Sequence, residues 1–392
     1  MASLAGVVAG SPLVQAALAA QQDPRPLKDH VRLPGLGEMR APVDFEPVFF
    51  ANVPLSVYDY TAHGDGSEFT LRRNRQAFEW VDLVPGRPVD PKTVDLSADL
   101  FGAKMKYPII VSPTAAQLPL HPDGEIGMRR GATGASLTPM VLSGNTTTPI
   151  EEVAAEKGGP LWAQFYPTRD GATGRETLAR MQDSGASVIV VTVDQTASFY
   201  ERTVQDRNLG GVSAPGMGRR GGAPPAATPV GPGRYRVGSN RLWYSWEYID
   251  QIRPLIKVPM LIKGIVNADD AVRCVEHGAD GIVVSNHGGR SMDYGPSTLE
   301  VLPEIIAAVN GRVPIITDSG YRRGADILKA LALGAHAVLL GRPTRWALGA
   351  FGAPGVQRVL EMIQQELVEA AAAAGRPTLK SIDRSLVKTR FT

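Results

Sequence analysis

Short runs of apolar residues recur along the chain, and each is separated from the next by a stretch typical of a helix. Eight of these runs are four to seven residues long and largely apolar, as expected of strands buried on both faces of a parallel sheet. Eight β/α units in this order predict an α/β fold with a single (β/α)8 barrel, the TIM barrel, rather than an open doubly wound sheet. The predicted strands are Pro108–Ser112, Met140–Ser143, Leu161–Tyr166, Val188–Asp194, Met260–Lys263, Gly281–Asn286, Val313–Asp318 and Ala337–Arg342.

Segments outside these units predict an extension before the barrel and a helix after it. Residues 23–107 include a helical stretch, Leu71–Trp80, and we expect this region to cap the barrel floor or to pack beside it. The domain interpretation is one barrel domain over 23–392, with its core at about 108–350. The apolar positions that predict the final helix, before Gly375 and Pro377, are Val356, Val359, Leu360, Ile363 and Leu367.

The loop between the fourth and fifth strands has an unusual composition. Residues 210–233 contain 13 Gly or Pro residues and no acidic residue, which leaves little apolar surface to bury. Long loops of this kind in compact folds are lids or disordered links. We favour a lid over the barrel mouth, and a disordered link is the alternative.

The first 22 residues, 1–22, carry no charge and are dominated by Ala, Leu, Val and Gly. They resemble the apolar region of an export signal, but the positive leader of such signals is missing. Pro12, Gln15 and several glycines argue against a membrane span. The segment is therefore a loose arm or a signal remnant. The expected location is the cytoplasm, or outside it if residues 1–20 are that remnant.

Composition and charge narrow the possible partners. Hydrophobic residues make up 43% of the chain and charged residues 20%, as in soluble globular proteins with a sizeable core. A net charge of +2 gives no strong field for nucleic acid or an anionic membrane, and we expect neither as a partner. The single cysteine, Cys274, cannot form an intrachain disulfide, and its apolar neighbours predict a buried thiol.

Chemically useful side chains stand at or near the end of every predicted strand. Because the carboxyl ends of barrel strands meet at one mouth, we expect these side chains to converge on one active site. Polar residues often terminate strands for structural reasons alone, but that explains only one or two of the eight cases. The residues are Thr114, Ser143, Gln164 and Tyr166, Thr192 and Asp194, Lys263, Ser285 and His287, Asp318, and Arg342.

The loops after the last two strands have the composition of a phosphate site. Asp318–Gly324 and Gly341–Pro343 combine glycines, which let backbone N–H groups approach an anion, with arginines that supply forked donors. The glycines could equally serve only the turns. Since neither a P-loop nor a GxGxxG fingerprint occurs, a mononucleotide or a sugar phosphate is favoured over NAD or ATP.

A candidate base follows the sixth strand. His287 lies in a Gly-rich turn with Arg290 three residues later, a pairing suited to taking a proton from a substrate that carries a carboxylate. Asp194, at the end of the fourth strand, can orient the imidazole. A catalytic metal is not predicted because the chain has neither an HExxH motif nor a cysteine cluster.

The run Val284–Arg290 resembles the active-site signature of FMN-dependent 2-hydroxy acid oxidases and dehydrogenases. That family includes glycolate oxidase, lactate oxidase, lactate monooxygenase and mandelate dehydrogenase. The resemblance extends from Val57–Tyr60 to about Leu379, over some 320 residues. Its supporting motifs are Ser112–Ala115, Leu261–Gly264, Asp318–Gly324 and Leu340–Pro343.

The resemblance implies a role for each matching catalytic position. His287 would be the catalytic base, with Asp194 as its partner. Arg202, aligned through the downstream Asn208, would clamp the substrate carboxylate together with Arg290. The side chains implied to hydrogen-bond the substrate are Tyr60 and Tyr166, the latter also in the catalytic set.

The resemblance also implies FMN as the cofactor. Lys263 would lie near the pyrimidine end of the flavin and stabilise negative charge there. The residues implied to line the isoalloxazine and ribityl groups are Thr114, Ala115, Ser143, Gln164, Thr192 and Ser285. Those implied to hold the ribityl–phosphate end are Asp318, Gly320, Arg322, Gly341 and Arg342.

The activity implied by the resemblance is oxidation of a small L-2-hydroxy acid, lactate- or glycolate-like, to the 2-oxo acid. Oxygen is the expected acceptor, because no haem-binding domain precedes the barrel and the 210–233 loop lacks the apolar content expected of a membrane-docking insert. Ala115 stands where lactate monooxygenase has Gly, which favours free release of the 2-oxo acid and hydrogen peroxide. The alternatives are a dehydrogenase that uses a quinone or another acceptor, an FMN-dependent isomerase, and a non-catalytic flavin-binding protein. Family members are often tetramers, so a homo-oligomer is expected.

This chain departs from the family pattern in the spacing from Thr192 to Arg202, which is one residue longer than in glycolate oxidase, and at two further positions. Ser291 follows Arg290 where Gln is common, and Asn145 stands where glycolate oxidase has a tryptophan that lines the pocket. Replacement of that tryptophan by asparagine predicts a more polar substrate pocket.

Overall fold

The computed structural model describes residues 32–168, 170–194 and 245–391. The chain divides into two compact units, Met1–Met39 and Arg40–Thr392. In the described part of the first unit, a 3-10 turn at Leu36–Glu38 is held by Glu38, which accepts a hydrogen bond from Gly35 N at 2.6 Å. The expectations for residues 1–22, for the 210–233 loop and for Arg202 lie outside the described residues.

The predicted barrel is confirmed. Numbered along the chain, the strands are Val81–Leu83 (β1), Ala98–Leu100 (β2), Ala103–Met105 (β3), Ile109–Val111 (β4), Met140–Leu142 (β5), Leu161–Phe165 (β6), Ile189–Thr192 (β7), Met260–Ile265 (β8), Gly281–Val284 (β9), Ile315–Thr317 (β10), Ala337–Leu340 (β11) and Val387–Thr389 (β12). Eight of them are parallel and form a closed sheet in the order β10-β11-β4-β5-β6-β7-β8-β9. Two small antiparallel sheets, β1-β12 and β2-β3, accompany the barrel.

Helices follow most barrel strands, and further helices precede the barrel and end the chain. The last helix is interrupted at Phe351 and Gly352, where Gly352 has φ +63°. The helices are Phe45–Asn52 (α1), Leu55–Ala62 (α2), Phe69–Gln76 (α3), Gly124–Gly134 (α4), Ile150–Ala155 (α5), Gly171–Asp183 (α6), Trp246–Ile252 (α7), Ala268–Glu276 (α8), Thr298–Val309 (α9), Gly324–Ala332 (α10) and Arg342–Ala373 (α11). In the described residues, no helix combines the length and the apolar character that crossing a membrane requires.

The strand and helix boundaries differ from the sequence-based ones in a consistent way. Seven of the eight barrel strands end one or two residues before the predicted end, because the polar residues there turn out of the ladder towards the mouth. The exception is β8, which continues to Ile265 through a register shift after Lys263. The expected helix Leu71–Trp80 is α3 followed by a 3-10 turn at Ala77–Trp80.

The hairpin β2-β3 closes the floor of the barrel. Leu100, Ala103 and Met105 of the hairpin belong to one buried cluster with inward residues of the barrel strands, among them Trp162. The expectation for residues 23–107 was therefore incomplete. The hairpin caps the floor, whereas Tyr60 of α2 lies at the opposite end and lines the mouth cavity.

Candidate active site

A cavity opens at the carboxyl ends of the barrel strands. Its empty volume is about 1110 Å³, a figure that includes solvent space at the open mouth. Among the sequence-predicted residues it is lined by Tyr60, Thr114, Ala115, Ser143, Tyr166, Lys263, His287, Arg290, Asp318, Gly320, Arg322, Gly341 and Arg342. Gln164, Thr192 and Ser285 are buried at the strand ends.

His287 and Asp194 form a hydrogen-bonded pair at this mouth. Nδ1 of His287 lies 2.9 Å from Oδ1 of Asp194, although the residues are 93 positions apart in the chain. His287 has φ +58°, and its backbone N–H donates to Ser285 Oγ at 3.1 Å. The turn after β9 thus directs the imidazole towards the end of β7.

Gly264 is what allows Asp194 to approach. Gly264 has φ +112° at the register shift of β8, and a Cβ there would lie 2.6 Å from the Cβ of Asp194. Any larger residue would push the carboxylate away from His287. The local sequence Lys263–Gly264 therefore positions the pair through backbone shape as well as through side chains.

Charge and burial determine the protonation of this pair. Burial lowers the pKa of His287, and Lys263 and Arg290 lower it further, against the opposing effect of Asp194. Burial alone would raise the pKa of Asp194, but His287, Lys263 and the hydrogen bonds from His287 and Ser291 outweigh it and lower that pKa. Because an ionised Asp194 only accepts, Nδ1 of His287 carries the hydrogen and Nε2 keeps its lone pair.

Lys263 is a buried cation next to this pair. Its Nζ donates to Ser285 Oγ at 2.8 Å and lies 3.4 Å from Oδ2 of Asp318. Two neighbouring polar atoms, Gln164 Nε2 and Thr192 Oγ1, are buried and have no hydrogen-bond partner within the described chain. Thr192 is in register with Lys263, so these groups occupy adjacent strands at the mouth.

Arg342, at the start of α11, and Arg290, in the turn after β9, both donate hydrogen bonds to backbone carbonyls. Arg342 donates to Thr61 O, Gly288 O and His63 O at 2.8, 2.9 and 3.2 Å. Arg290 donates to Tyr60 O and His63 O, both at 2.7 Å, and its guanidinium lies 4.7 Å from the centre of the Tyr60 ring. Both side chains hold residues 60–63 over the cavity.

The loop after β10, which the sequence predicts to bind an anion, packs closely against α3 at Gly320. Gly320 has φ +97°, and a Cβ there would lie 2.4 Å from Asn74 O. Burial, and secondarily Arg75, lowers the pKa of Arg322 to about 10. Arg322 lies over the Trp346 ring at 4.8 Å. The side chain remains a cation at neutral pH, because this pKa is well above 7.

Three residues of the site were missed or left without a role by sequence reasoning. Arg345 lines the cavity and is 4% exposed, but it lies three residues beyond Arg342, inside the following helix, and the reading of strand ends did not extend that far. Ser291 was noted as a departure, and its Oγ donates to Oδ2 of Asp194 at 2.9 Å. Ser319 has φ +78°, and its Oγ accepts from Gly288 N at 3.0 Å.

Within residues 32–168, 170–194 and 245–391, no three His, Cys, Asp or Glu side chains cluster as metal ligands. Cys274 is fully buried, as predicted, and burial raises the pKa of its thiol.

Comparison with known proteins identifies relatives over most of the chain. A family model described as FMN-dependent dehydrogenase matches residues 50–389. Glycolate oxidase 3 of Arabidopsis thaliana is 36% identical over 353 residues, which cover 88% of this chain and 95% of that protein. L-lactate oxidase of Nostoc sp. is 36% identical over 355 residues, covering 88% and 96% of the two chains.

The solved structures that resemble this one include mandelate oxidase. Its crystal structure superposes with a TM-score of 0.81 at 35% sequence identity, covering 90% of this chain and 98% of that chain. A complex of mandelate oxidase with benzoyl-formic acid gives a TM-score of 0.79 at 34% identity. The similarity therefore extends over the whole barrel and is not limited to the signature motif.

Proposed function

The chain belongs to the FMN-dependent dehydrogenase family, as an enzyme of its 2-hydroxy acid oxidase branch, and from this we propose that it oxidises a small L-2-hydroxy acid to the 2-oxo acid with oxygen as acceptor. Hydrogen peroxide is the second product. The observation that carries the proposal is the His287–Asp194 pair, which borders a cavity lined by Lys263 and Arg290. A base, its orienting carboxylate and a cation for an acid substrate are thereby assembled in one site.

FMN, the cofactor of the family, suits the donors of the cavity. The unpartnered Gln164 Nε2 and Thr192 Oγ1 match the carbonyl and imide groups on a flavin ring, since buried polar atoms require partners. At the other end, Arg322, Arg342 and the start of α11 supply charge and N–H groups for a phosphate. When bound, FMN accepts the two electrons that leave the substrate.

His287 is the proposed base. Its lowered pKa keeps the imidazole neutral at neutral pH, so that Nε2 can accept a proton from the substrate. Asp194 holds the ring through Nδ1 and stabilises the imidazolium that results. Burial therefore keeps His287 neutral before the reaction, and the carboxylate of Asp194 stabilises the ring once it is protonated.

Arg290 and two tyrosines are the proposed substrate anchors. Arg290 borders the cavity between Tyr60 and His287, where its guanidinium can bind the carboxylate of a hydroxy acid. Tyr60 and Tyr166 also line the cavity and offer hydroxyl donors. Arg202, expected as the second carboxylate anchor, remains a proposal from the sequence alone.

Lys263 is proposed to stabilise negative charge at the pyrimidine end of the flavin. Only 2% of this residue is exposed, and its ion pair with Asp318 fixes the ammonium beside the strand ends. A fixed cation in a buried site interacts more strongly with a developing negative charge than one in water does.

Oxygen as the acceptor is supported by the relatives. The related proteins and the solved structure named above are themselves described as oxidases. Ala115 lines the cavity at the position that the resemblance places near the flavin. The descriptions of the relatives favour oxygen over the dehydrogenase alternative, and Ala115 favours free release of the oxo acid and peroxide.

Anaerobic mixing of the purified holoenzyme with L-lactate, glycolate or L-mandelate tests the proposal. We expect at least one acid to bleach the flavin absorbance, and air to restore it with formation of peroxide. Bleaching that air does not reverse would instead identify a dehydrogenase with another acceptor. A flavin that none of the 2-hydroxy acids reduces would contradict the proposed reaction.

A further inference from the structure

Arg345 is a buried cation in the wall of the active-site cavity. It belongs to the first turn of α11, is 4% exposed and borders the cavity. Nε donates to Thr61 Oγ1 at 3.1 Å and Nη1 donates to Ala115 O. Its guanidinium lies 5.5 Å from the centre of the Tyr60 ring, on which Arg290 also lies. Arg345 is therefore next to the proposed substrate anchors.

Within the described chain, Arg345 has no carboxylate partner. Tyr60 and, more weakly, the carboxylate of Glu125 raise the pKa of Arg345, and the two oxygens of Glu125 already bind Thr147 and Thr148. Burial lowers the pKa of Arg345 to about 10, with Arg290 adding to the effect, so the side chain is still charged at neutral pH. A buried charge without a counter-charge is costly unless a ligand compensates it.

The other cations of the cavity already have assigned counter-charges. Lys263 pairs with Asp318. In the proposed function, Arg290 binds the carboxylate next to the reacting carbon, and Arg322 and Arg342 serve the cofactor phosphate. Among the described residues, Arg345 is the cavity arginine to which neither the FMN phosphate nor the carboxylate next to the reacting carbon is assigned.

Asn145 adds a second polar group near Arg345. Ala116 N donates to the backbone carbonyl of Asn145 at 3.1 Å, and Arg345 binds the backbone carbonyl of the preceding residue, Ala115, so both residues contact the same segment. Asn145 also lines the cavity. Arg345 and Asn145 therefore both border the cavity and contact residues 115–116, and a hydrophobic substrate side chain would give the guanidinium no counter-charge.

We propose that Arg345, assisted by Asn145, is a second anion subsite in this cavity and selects 2-hydroxy acids that carry a distal carboxylate. The inference rests on the proposed function and narrows its substrate class to 2-hydroxy dicarboxylic acids. The carboxylate next to the hydroxyl binds Arg290, and the distal carboxylate binds Arg345. Forked guanidinium–carboxylate contacts give both affinity and orientation in such a pair of sites.

Equilibrium binding tests the subsite without turnover. The oxidised holoenzyme is titrated with pyruvate and with 2-oxoglutarate, while the flavin absorbance is followed. We expect 2-oxoglutarate to bind at least roughly tenfold more tightly, as one additional charge-assisted contact allows. Arg345→Met should remove most of this preference and leave pyruvate binding within about threefold. Arg358→Met, on the same helix but away from the cavity, is the matched control.

Flavin reduction gives the second readout. Anaerobic reduction by L-malate and L-2-hydroxyglutarate is compared with reduction by L-lactate, and Arg345→Met should reverse the preference for the diacids. Arg345→Lys keeps the charge without the planar fork and should retain part of it. This conservative variant also guards against misfolding of Arg345→Met, since Arg345 links Thr61 to Ala115.

The outcomes separate this inference from the proposed function. Equal binding of pyruvate and 2-oxoglutarate, with Arg345→Met weakening both alike, would overturn the subsite and leave Arg345 as a structural brace. In that case reduction by monocarboxylates would still support the oxidase. If no hydroxy acid of either class reduces the flavin, the proposed function fails, whereas the binding titration still decides the role of Arg345.

Discussion

Ser291 Oγ donates a 2.9 Å hydrogen bond to Oδ2 of Asp194, the carboxylate whose other oxygen holds His287. Asp194 is thus held from both sides, by the imidazole and by a hydroxyl four residues further along the same loop. Both hydrogen bonds contribute to the lowered pKa of Asp194. Ser291, at which this chain departs from the family signature, therefore helps to hold the carboxylate that orients the base.

Substitution of Ser291 should therefore alter the pH dependence of flavin reduction. In Ser291→Ala, Asp194 loses one donor and attracts the imidazolium proton more strongly, so the pKa of His287 should rise. The acid limb of the pH profile is expected to move to higher pH, with a rate loss of less than about tenfold at the plateau. Stopped-flow reduction across pH measures both, and Ser291→Thr, which keeps the hydroxyl, should restore the wild-type limb. An unchanged limb in Ser291→Ala would argue against coupling through Asp194.

The wild-type enzyme should retain activity at mildly acidic pH. Burial lowers the pKa of His287, and the neutral imidazole is the form that accepts a proton. The acid limb of the second-order rate constant for flavin reduction, which reports the free enzyme, should lie below the ordinary histidine value of about 6.5. A limb at or above that value would show that Asp194 dominates over burial.

Removal of the base should greatly slow flavin reduction and leave cofactor binding intact. His287→Gln is expected to slow flavin reduction by roughly 10²- to 10⁴-fold, the range of general base catalysis, while FMN remains bound. The chain offers a matched control in His277, whose Nδ1 lies 2.7 Å from Asp250 in a second His–Asp pair away from the cavity. His277→Gln should reduce the flavin at the wild-type rate. Normal reduction in His287→Gln would remove His287 from the mechanism.

Gly264→Ala should damage both stability and activity. Its φ of +112° disfavours an L side chain, and the new Cβ would lie 2.6 Å from that of Asp194. Gly311 also has a positive φ, +72°, but a Cβ there meets nothing within 4 Å. Gly311→Ala should therefore lower the free energy of unfolding by only about 1–2 kcal/mol. Gly264→Ala should cost about 1–3 kcal/mol more through the clash, and should slow flavin reduction. Urea unfolding and stopped-flow reduction of both variants test this, and equal losses would show that Asp194 is not crowded.

The barrel and the general position of its active site could be read from the order of the residues. Strands such as Ile189–Thr192 and Met260–Ile265 can be recognised in the sequence because a strand buried on both faces is apolar along most of its length. The polar residues after them, including Asp194 and His287, were placed at one mouth by the same reasoning, since parallel strands share one carboxyl end. Local sequence suffices for these features because each depends on a single β/α unit.

Tertiary structure alone decided which of these side chains meet, and what surrounds them. Arg345 contacts Ala115 and Thr61, which are 230 and 284 positions away in the chain, and Ser291 reaches Asp194 across 97 positions. The approach of Asp194 to His287 further depends on the backbone shape at Gly264. Such contacts arise from the closure of the barrel and the packing of α2 and α11 over its mouth. A pattern of apolar and polar positions specifies which face is buried, but a charged residue buried by distant segments leaves no periodic signal.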